Sequence, residues 1–147
     1  MGVLKAIQKN HFDMMEKRGW DKTFWAFDVH GTLIKPNYKA GDIPKEFYPY
    51  ALETLKLLTD RKDVTLILYT CSHPHEIQEY LDLFNSHGIK FEYCNKNPEV
   101  PSDMNGYGYY EDKFYFNVLF EDKAGFDPEE YEEIYKYLCL KWDIKIK

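Results

Sequence analysis

The sequence lacks several features that would assign it to a specialised class of protein. Its cysteines, Cys71, Cys94 and Cys139, are odd in number and have no paired spacing. Neither a disulfide framework nor a zinc site of the Cys-x-x-Cys type is therefore indicated, and a reducing compartment fits best. No apolar run has the length of a signal peptide or a membrane span, and neither internal repeats nor low-complexity tracts occur. These absences predict a cytoplasmic protein without a membrane partner.

An excess of positive charge is also missing. The chain has 19 Lys and Arg against 25 Asp and Glu, a formal net charge of -6, so no overall basic field attracts a phosphate backbone. Bulk nucleic-acid binding is not expected, although a local basic groove stays open as an alternative. Aromatic residues are abundant, at 18% with 13 Tyr, and predict a core built from large, partly polar rings.

The length and composition predict one globular domain. The 147 residues are 44% apolar and show no swing in composition along the chain, as expected for one core. Apolar residues at helical intervals predict an N-terminal helix over 1–18, and the core of the domain is expected over 23–143.

Within that core, β-forming runs alternate with helical patterns. Strands are predicted over 23–27, 64–69, 91–94 and 114–120, and helices over 48–59, 75–87 and 128–140. Loops are predicted over 31–44 and 95–112, and Gly88 is expected to end the middle helix. This alternation implies right-handed crossovers and an α/β fold, a Rossmann-like three-layer sandwich with a mainly parallel central sheet.

Polar side chains lie at the ends of the predicted strands. They are Asp28 and His30 after the first strand, Thr70 after the second, Glu121 and Asp122 after the last, and Lys113 where the last strand begins. Ligands of open parallel sheets bind beyond the carboxyl ends of the strands, so these residues are candidates for one site. Carboxylates, a hydroxyl, an ammonium and an imidazole suit phosphoryl transfer through an aspartyl intermediate.

The same residues lie in segments that resemble the motifs of the haloacid dehalogenase superfamily. Phe27-Asp28-Val29-His30-Gly31-Thr32-Leu33 resembles its Asp-x-Asp-Gly-Thr signature, and Leu66-Ile67-Leu68-Tyr69-Thr70 resembles its second motif. Lys113 precedes Glu121-Asp122 at a spacing similar to that of the lysine and the fourth-motif acids in small capless members. The resemblance extends from Thr23 over nearly the whole chain. Because too little chain separates the motifs for an inserted domain, it implies a minimal cap or none.

The resemblance implies a magnesium-dependent phosphohydrolase acting on a phosphomonoester. Asp28 would be the nucleophile that forms an aspartyl phosphate, and Mg²⁺ would be bound by Asp28, the main-chain carbonyl of His30, and Glu121 or Asp122. Thr70 and Lys113 would hold the non-bridging phosphate oxygens, with Lys96 as the alternative lysine. The substrate is expected to be a phosphorylated small molecule or macromolecular end, and a homo-oligomer would enclose a small substrate.

Two positions depart from the motif pattern. The second Asp of the signature, the acid/base of phosphatases in this superfamily, is His30 here; an imidazole suits both roles near neutrality. Glu121 stands where Asp is more usual, and its extra methylene displaces the carboxylate and favours Asp122 as the main ligand. Both departures favour the alternative of a non-catalytic or regulatory protein that binds metal or phosphate without turnover. A receiver domain is disfavoured because its acidic pair lies on the first strand.

Two further segments invite functional interpretations. Cys71-Ser72-His73-Pro74-His75 combines potential metal ligands with a potential nucleophile, but a plain loop between strand and helix is favoured. The aromatic stretch from Tyr107 to Phe116 contains rings that stack a base or sugar in other proteins, but packing in a half-buried strand and loop is favoured here.

Overall fold

The computed structural model describes residues 2–37, 43–101 and 113–146. The helix predicted over 1–18 is present as three consecutive segments: α1 (Gly2–Ile7), a π-helical turn (Gln8–Asp13) and α2 (Met14–Arg18). Gly19, with a φ of 66°, ends the last of them, because glycine enters the left-handed region without a steric penalty.

The remaining elements alternate between strand and helix. In chain order they are β1 (Thr23–Asp28), α3 (Ala51–Thr59), β2 (Val64–Tyr69), α4 (Pro74–Ser86), β3 (Tyr93–Cys94), β4 (Val118–Phe120), two 3₁₀ turns (Asp122–Ala124 and Pro128–Glu130) and α5 (Tyr131–Lys141). Gly88 has a φ of 77° just beyond α4, which confirms it as the stop of that helix. The loop predicted over 31–44 is described except for 38–42, and the loop over 95–112 is described only as far as 101.

The sequence overestimated the third and fourth strands. The structure has strand at 93–94 and 118–120 only, rather than over 91–94 and 114–120. Next to β4, the Asn117 amide still donates to the Phe24 carbonyl at 2.8 Å, but the Phe24 amide donates to the side-chain Oδ1 of Asn117, also at 2.8 Å, rather than to a backbone carbonyl. A side chain that satisfies the neighbouring strand in this way competes with the backbone ladder. Similarly, α3 begins at Ala51 rather than 48, since Tyr50 has a left-handed φ of 67°.

The four strands form one parallel sheet in the order β3-β2-β1-β4. The prediction of an α/β fold with a parallel central sheet is confirmed, and the arrangement is consistent with a Rossmann-like three-layer architecture. β1 lies in the middle, paired with β2 through Asp28 and Tyr69 at the carboxyl end and with β4 through Phe27 and Phe120. The last residues of three strands therefore lie side by side.

The two faces of the sheet are covered differently. One face contributes Trp25, Phe27, Leu66, Leu68, Val118 and Phe120 to a large core with residues of α1, α3, α4 and α5. The other contributes Phe24, Ala26 and Ile67, which pack under Val100, Phe114 and Tyr115. Because side chains alternate along a strand, Asp28 and Tyr69 face the same side as Ala26 and Ile67. No helix in the described ranges is long and apolar enough to cross a membrane.

Candidate active site

Three carboxylates converge at the carboxyl edge of the sheet. Oxygen atoms of Asp28, Glu121 and Asp122 lie within 4.8 Å of one another. Asp28 ends β1 and the acidic pair follows β4, and the preceding residues, Phe27 and Phe120, are fully buried and stacked with ring centroids 4.1 Å apart. Such a pair contributes about 0.5–1.5 kcal/mol beyond its burial. Packing of the core thus brings the negative charges together.

The carboxylate of Asp28 is held in an unfavourable environment. Burial, followed by the charges of Glu121 and Asp122, raises the pKa of Asp28 from 3.8 to about 6, and hydrogen bonds from the Val29 amide and Thr32 oppose the shift. A cation between the three groups relieves both the repulsion and the desolvation. The donors are all oxygens, the ligand type that Mg²⁺ prefers. The residues therefore fit this ion.

The loop after β1 is shaped around Asp122. A Cβ atom on Gly31, whose φ is 76°, would lie 2.6 Å from Oδ2 of Asp122, so a side chain here would be strained and would displace the Asp122 carboxylate. The fully buried hydroxyl of Thr32 accepts a hydrogen bond from the Asp122 amide at 3.1 Å and donates to Oδ2 of Asp28 at 3.5 Å. Thr32 thereby links the nucleophile candidate to the acidic pair. The signature includes both residues, but their roles were not predicted.

His30 is fixed by a partner that sequence reasoning did not find. Its Nε2 lies 2.6 Å from the hydroxyl of Tyr80, and the two rings meet edge to face with centroids 5.5 Å apart. Tyr80 is fully buried on α4, and burial, aided by Glu76 and Glu79, raises the pKa of its phenol to about 12. Tyr80 therefore keeps its proton, and Nδ1 is the ring nitrogen of His30 that remains for a ligand.

Thr70 is held by an asparagine clamp. The side chain of Asn95 accepts a hydrogen bond from the Thr70 amide at 2.9 Å and donates one to its carbonyl at 2.7 Å. Asn95 thus continues the pairing of β2 beyond its last strand residue. The Thr70 hydroxyl lies 2.8 Å from that of Ser72, so the two share a hydrogen bond. Nothing in the local sequence predicted this role. In the structure, the backbone of Asn95 has a left-handed φ of 56°.

An open cleft of about 740 Å³ contains most of the predicted site. Asp28, His30, Thr70, Glu121 and Asp122 all line it. This volume lies within the range of small-molecule sites. The structure therefore gathers five of the six predicted side chains around one space.

The lysines are arranged differently from the prediction. Lys123 lines the cleft one residue beyond Asp122, whereas neither Lys113 nor the alternative Lys96 is among its lining residues. Lys113 is exposed and immediately follows the segment that lies outside the described residues. Its predicted contact with phosphate therefore stays a prediction. Lys123 was missed, although its position directly after the acidic pair was a local signal.

The Cys71-to-His75 segment serves as the connection into α4. His73 and Glu76 form a capping box at its start, in which the His73 amide donates to Oε1 of Glu76 at 3.0 Å. Within 2–37, 43–101 and 113–146, the acidic cluster is the one group of three or more potential metal-ligating side chains that converges. This agrees with the loop interpretation of the segment.

A buried hydroxyl lies below the site. Tyr131 is fully buried, and its hydroxyl has no hydrogen-bond partner among the described residues. Burial, and secondly the charge of Asp28, raises its pKa well above the ordinary value. Tyr131 is not among the residues that line the cleft.

The fold and the site define an α/β protein with an acidic cluster at the carboxyl edge of a four-stranded parallel sheet. A solved structure described as the conserved protein coded by a locus from Bacteroides thetaiotaomicron is similar to this chain, with 26% identity and a TM-score of 0.60. The match covers 82% of this chain and 92% of that one. No family model matches the chain, and neither does any curated protein.

Proposed function

We propose that this chain is a magnesium-dependent phosphohydrolase of the haloacid dehalogenase type, which hydrolyses a phosphomonoester through an aspartyl phosphate on Asp28. The observation that carries the proposal is the convergence of Asp28, Glu121 and Asp122 within 4.8 Å in the cleft that also contains His30 and Thr70. The resemblance of the surrounding segments to that superfamily's motifs supports the same assignment.

Asp28, Glu121 and Asp122 would hold Mg²⁺, together with the main-chain carbonyl of His30. When bound, the ion supplies positive charge that allows an anionic nucleophile to approach an anionic phosphate. The half-buried carboxylate of Asp28 is aimed by the Val29 amide and the Thr32 hydroxyl. The Thr32 hydroxyl donates to Oδ2.

In the first step, an oxygen of Asp28 forms a bond to phosphorus as the bond between phosphorus and the leaving oxygen breaks. Nδ1 of the imidazolium form of His30 donates a proton to that oxygen, which leaves a neutral imidazole whose Nε2–H donates to the Tyr80 hydroxyl oxygen. In the second step, Nδ1 accepts a proton from a water molecule as the water oxygen attacks phosphorus. The bond between phosphorus and the Asp28 oxygen breaks, which releases inorganic phosphate and free Asp28. One imidazole is thus acid and then base, as microscopic reversibility requires.

A lysine is proposed to bind the non-bridging oxygens of the substrate phosphate. Lys123 lines the cleft and is the better placed among the described residues, while Lys113 has the spacing of the superfamily. Substituting each by alanine separates them, because loss of a phosphate contact raises KM or lowers kcat whereas loss of an exposed lysine elsewhere leaves both unchanged.

The experiment is a phosphate-release assay on a panel of phosphomonoesters with Mg²⁺ or with a chelator. Asp28→Asn is compared with Asp21→Asn, an exposed aspartate just before the amino end of β1, opposite the carboxyl end that carries Asp28. We expect release that requires Mg²⁺ and falls by at least about 10³-fold in Asp28→Asn alone. Borohydride reduction of the acid-quenched enzyme should mark Asp28, because an acyl phosphate is reduced to an alcohol. Release that persists in Asp28→Asn would contradict the mechanism.

A second candidate is a regulatory protein that binds metal or phosphate without turnover. The observation in its favour is that a buried tyrosine occupies Nε2 of the residue standing where the acid/base Asp is expected. Metal binding by calorimetry that depends on Asp28, together with no release from any substrate of the panel, would support this candidate over the first.

A further inference from the structure

A row of three aromatic rings begins in the wall of the cleft, and we call Tyr69, Phe114 and Phe116 the aromatic wall, although Tyr69 alone of the three lines the cleft. Tyr69 lines the cleft and is 40% exposed. Its ring packs against Phe114 with centroids 5.9 Å apart, and Phe114 packs against Phe116 at 5.8 Å. Phe116 is itself 37% exposed. The row thus has an exposed ring at each end and the half-buried Phe114 between them.

The aromatic wall lies next to the nucleophile. Tyr69 and Asp28 are register partners at the ends of β2 and β1, so their Cα atoms are about one strand spacing, ~4.8 Å, apart. Both side chains face the side of the sheet that carries Ala26 and Ile67. Phe114 packs on this same face and extends the rings away from the carboxylates.

The space between the two ends of the cleft is polar. The hydroxyls of Thr70 and Ser72 lie 2.8 Å apart, and both residues line the cleft together with Tyr69 and the carboxylates. A ligand that contacts all of these groups carries a phosphate, hydroxyl groups and a flat apolar part. The cleft volume of about 740 Å³ exceeds what a phosphate alone fills and lies in the range for small molecules.

From this arrangement we propose that the substrate is a nucleoside monophosphate whose base stacks on Tyr69, with Phe114 and Phe116 supporting that ring. The inference rests on the proposed phosphohydrolase activity for its kinetic test. A free nucleotide suits the protein better than a nucleic-acid strand, because the net charge of -6 repels a polyanion. Stacking on an aromatic side chain tolerates any base, so little discrimination among bases is expected.

The test compares adenosine 5′-monophosphate with ribose 5-phosphate. Both release phosphate from the 5′-oxygen of a ribose, so their reacting ends match and only the base differs. We expect a ratio of kcat/KM values of about 5 to 100 in favour of the nucleotide, the fold-change that one stacked base produces. The ratio should persist in Tyr69→Phe, which keeps the ring, and approach one in Tyr69→Leu. Phe116→Leu, farther from Asp28, should lower it less.

The ratio distinguishes recognition from damage to the fold, since a misfolded fraction lowers both rates equally. Equal rates on the two substrates, or a ratio that Tyr69→Leu leaves unchanged, would overturn the inference and leave the phosphohydrolase proposal standing. If neither substrate is hydrolysed, calorimetry on Asp28→Asn decides this inference by binding alone, while the phosphomonoester panel decides the proposed activity. Ring-dependent binding of adenosine 5′-monophosphate would then support the aromatic site, and its absence would overturn it.

Discussion

Removing the charge of Asp28 should stabilise the protein when no divalent ion is present. Burial and two neighbouring carboxylates raise the pKa of Asp28 from 3.8 to about 6, a shift of about two units and thus at most about 3 kcal/mol at neutral pH. Because the side chain is only partly buried, screening reduces this to about 1–2 kcal/mol. Asp28→Asn keeps the shape of the side chain and one acceptor oxygen but carries no charge. In a chelator at pH 7.5 we expect its Tm to rise by about 3–8 °C.

The pH dependence gives this prediction a second, independent readout. The folded pKa of Asp28 lies above its unfolded value, so the cost of ionising it is fully present above about pH 6 and disappears as the pH falls towards 4. The Tm difference between Asp28→Asn and the wild type should therefore shrink over that interval. Asp21→Asn, an exposed substitution of the same kind, should show no such difference.

Magnesium should reverse the order of stability. An ion that binds only the folded wild type adds about 2.7 kcal/mol at a concentration of 100 times Kd, which exceeds the gain expected from Asp28→Asn. Differential scanning calorimetry with and without Mg²⁺ measures both effects. A Tm for Asp28→Asn at or below that of the wild type in chelator, or a Mg²⁺ response that survives the substitution, would refute the reasoning about the acidic cluster.

Three further predictions concern single residues. His30→Asp restores the second acid of the signature and should preserve or raise phosphatase activity, measured as kcat/KM on the best substrate. Gly31→Ala brings a Cβ to 2.6 Å from Oδ2 of Asp122 at a φ of 76°, and should weaken Mg²⁺ binding in calorimetry by about tenfold or more and lower stability by about 1–2 kcal/mol. Burial lowers the pKa of His11, so its contribution to stability is present above pH 6.5 and falls below it; urea unfolding should show this loss in the wild type and not in His11→Gln.

Each of these predictions has its contrary outcome. A large loss of activity in His30→Asp would mean that the imidazole, held by Tyr80, has a role that a carboxylate does not fill. Gly31→Ala should be compared with Gly19→Ala, also at positive φ but with nothing within 4 Å of the added Cβ; equal losses of Mg²⁺ binding would argue against contact with Asp122. An acid-induced loss of stability that His11→Gln leaves unchanged would place its origin elsewhere.

Local patterns in the sequence were sufficient to predict the two central strands and the functional residues at their ends. The apolar runs at 23–27 and 64–69 have too many β-formers in succession to be anything but buried strands, and they end where Asp28 and Thr70 begin. The local sequence likewise predicted that Gly88 ends α4. β4 was overestimated because the side chain of Asn117, rather than a backbone carbonyl, accepts from the Phe24 amide, and this competition depends on a neighbour far away in the chain.

The sequence by itself determined the α/β class, the order of its elements and the presence of carboxylates at strand ends, because hydrophobic periodicity and turn chemistry act over a few residues. Only the tertiary structure decided which side chains hold the site residues in place. Thr32 meets the Asp122 amide across 90 positions, His30 meets Tyr80 across 50, and Asn95 clamps Thr70 across 25. Contacts over such separations are set by sheet register and helix packing, which no local pattern encodes.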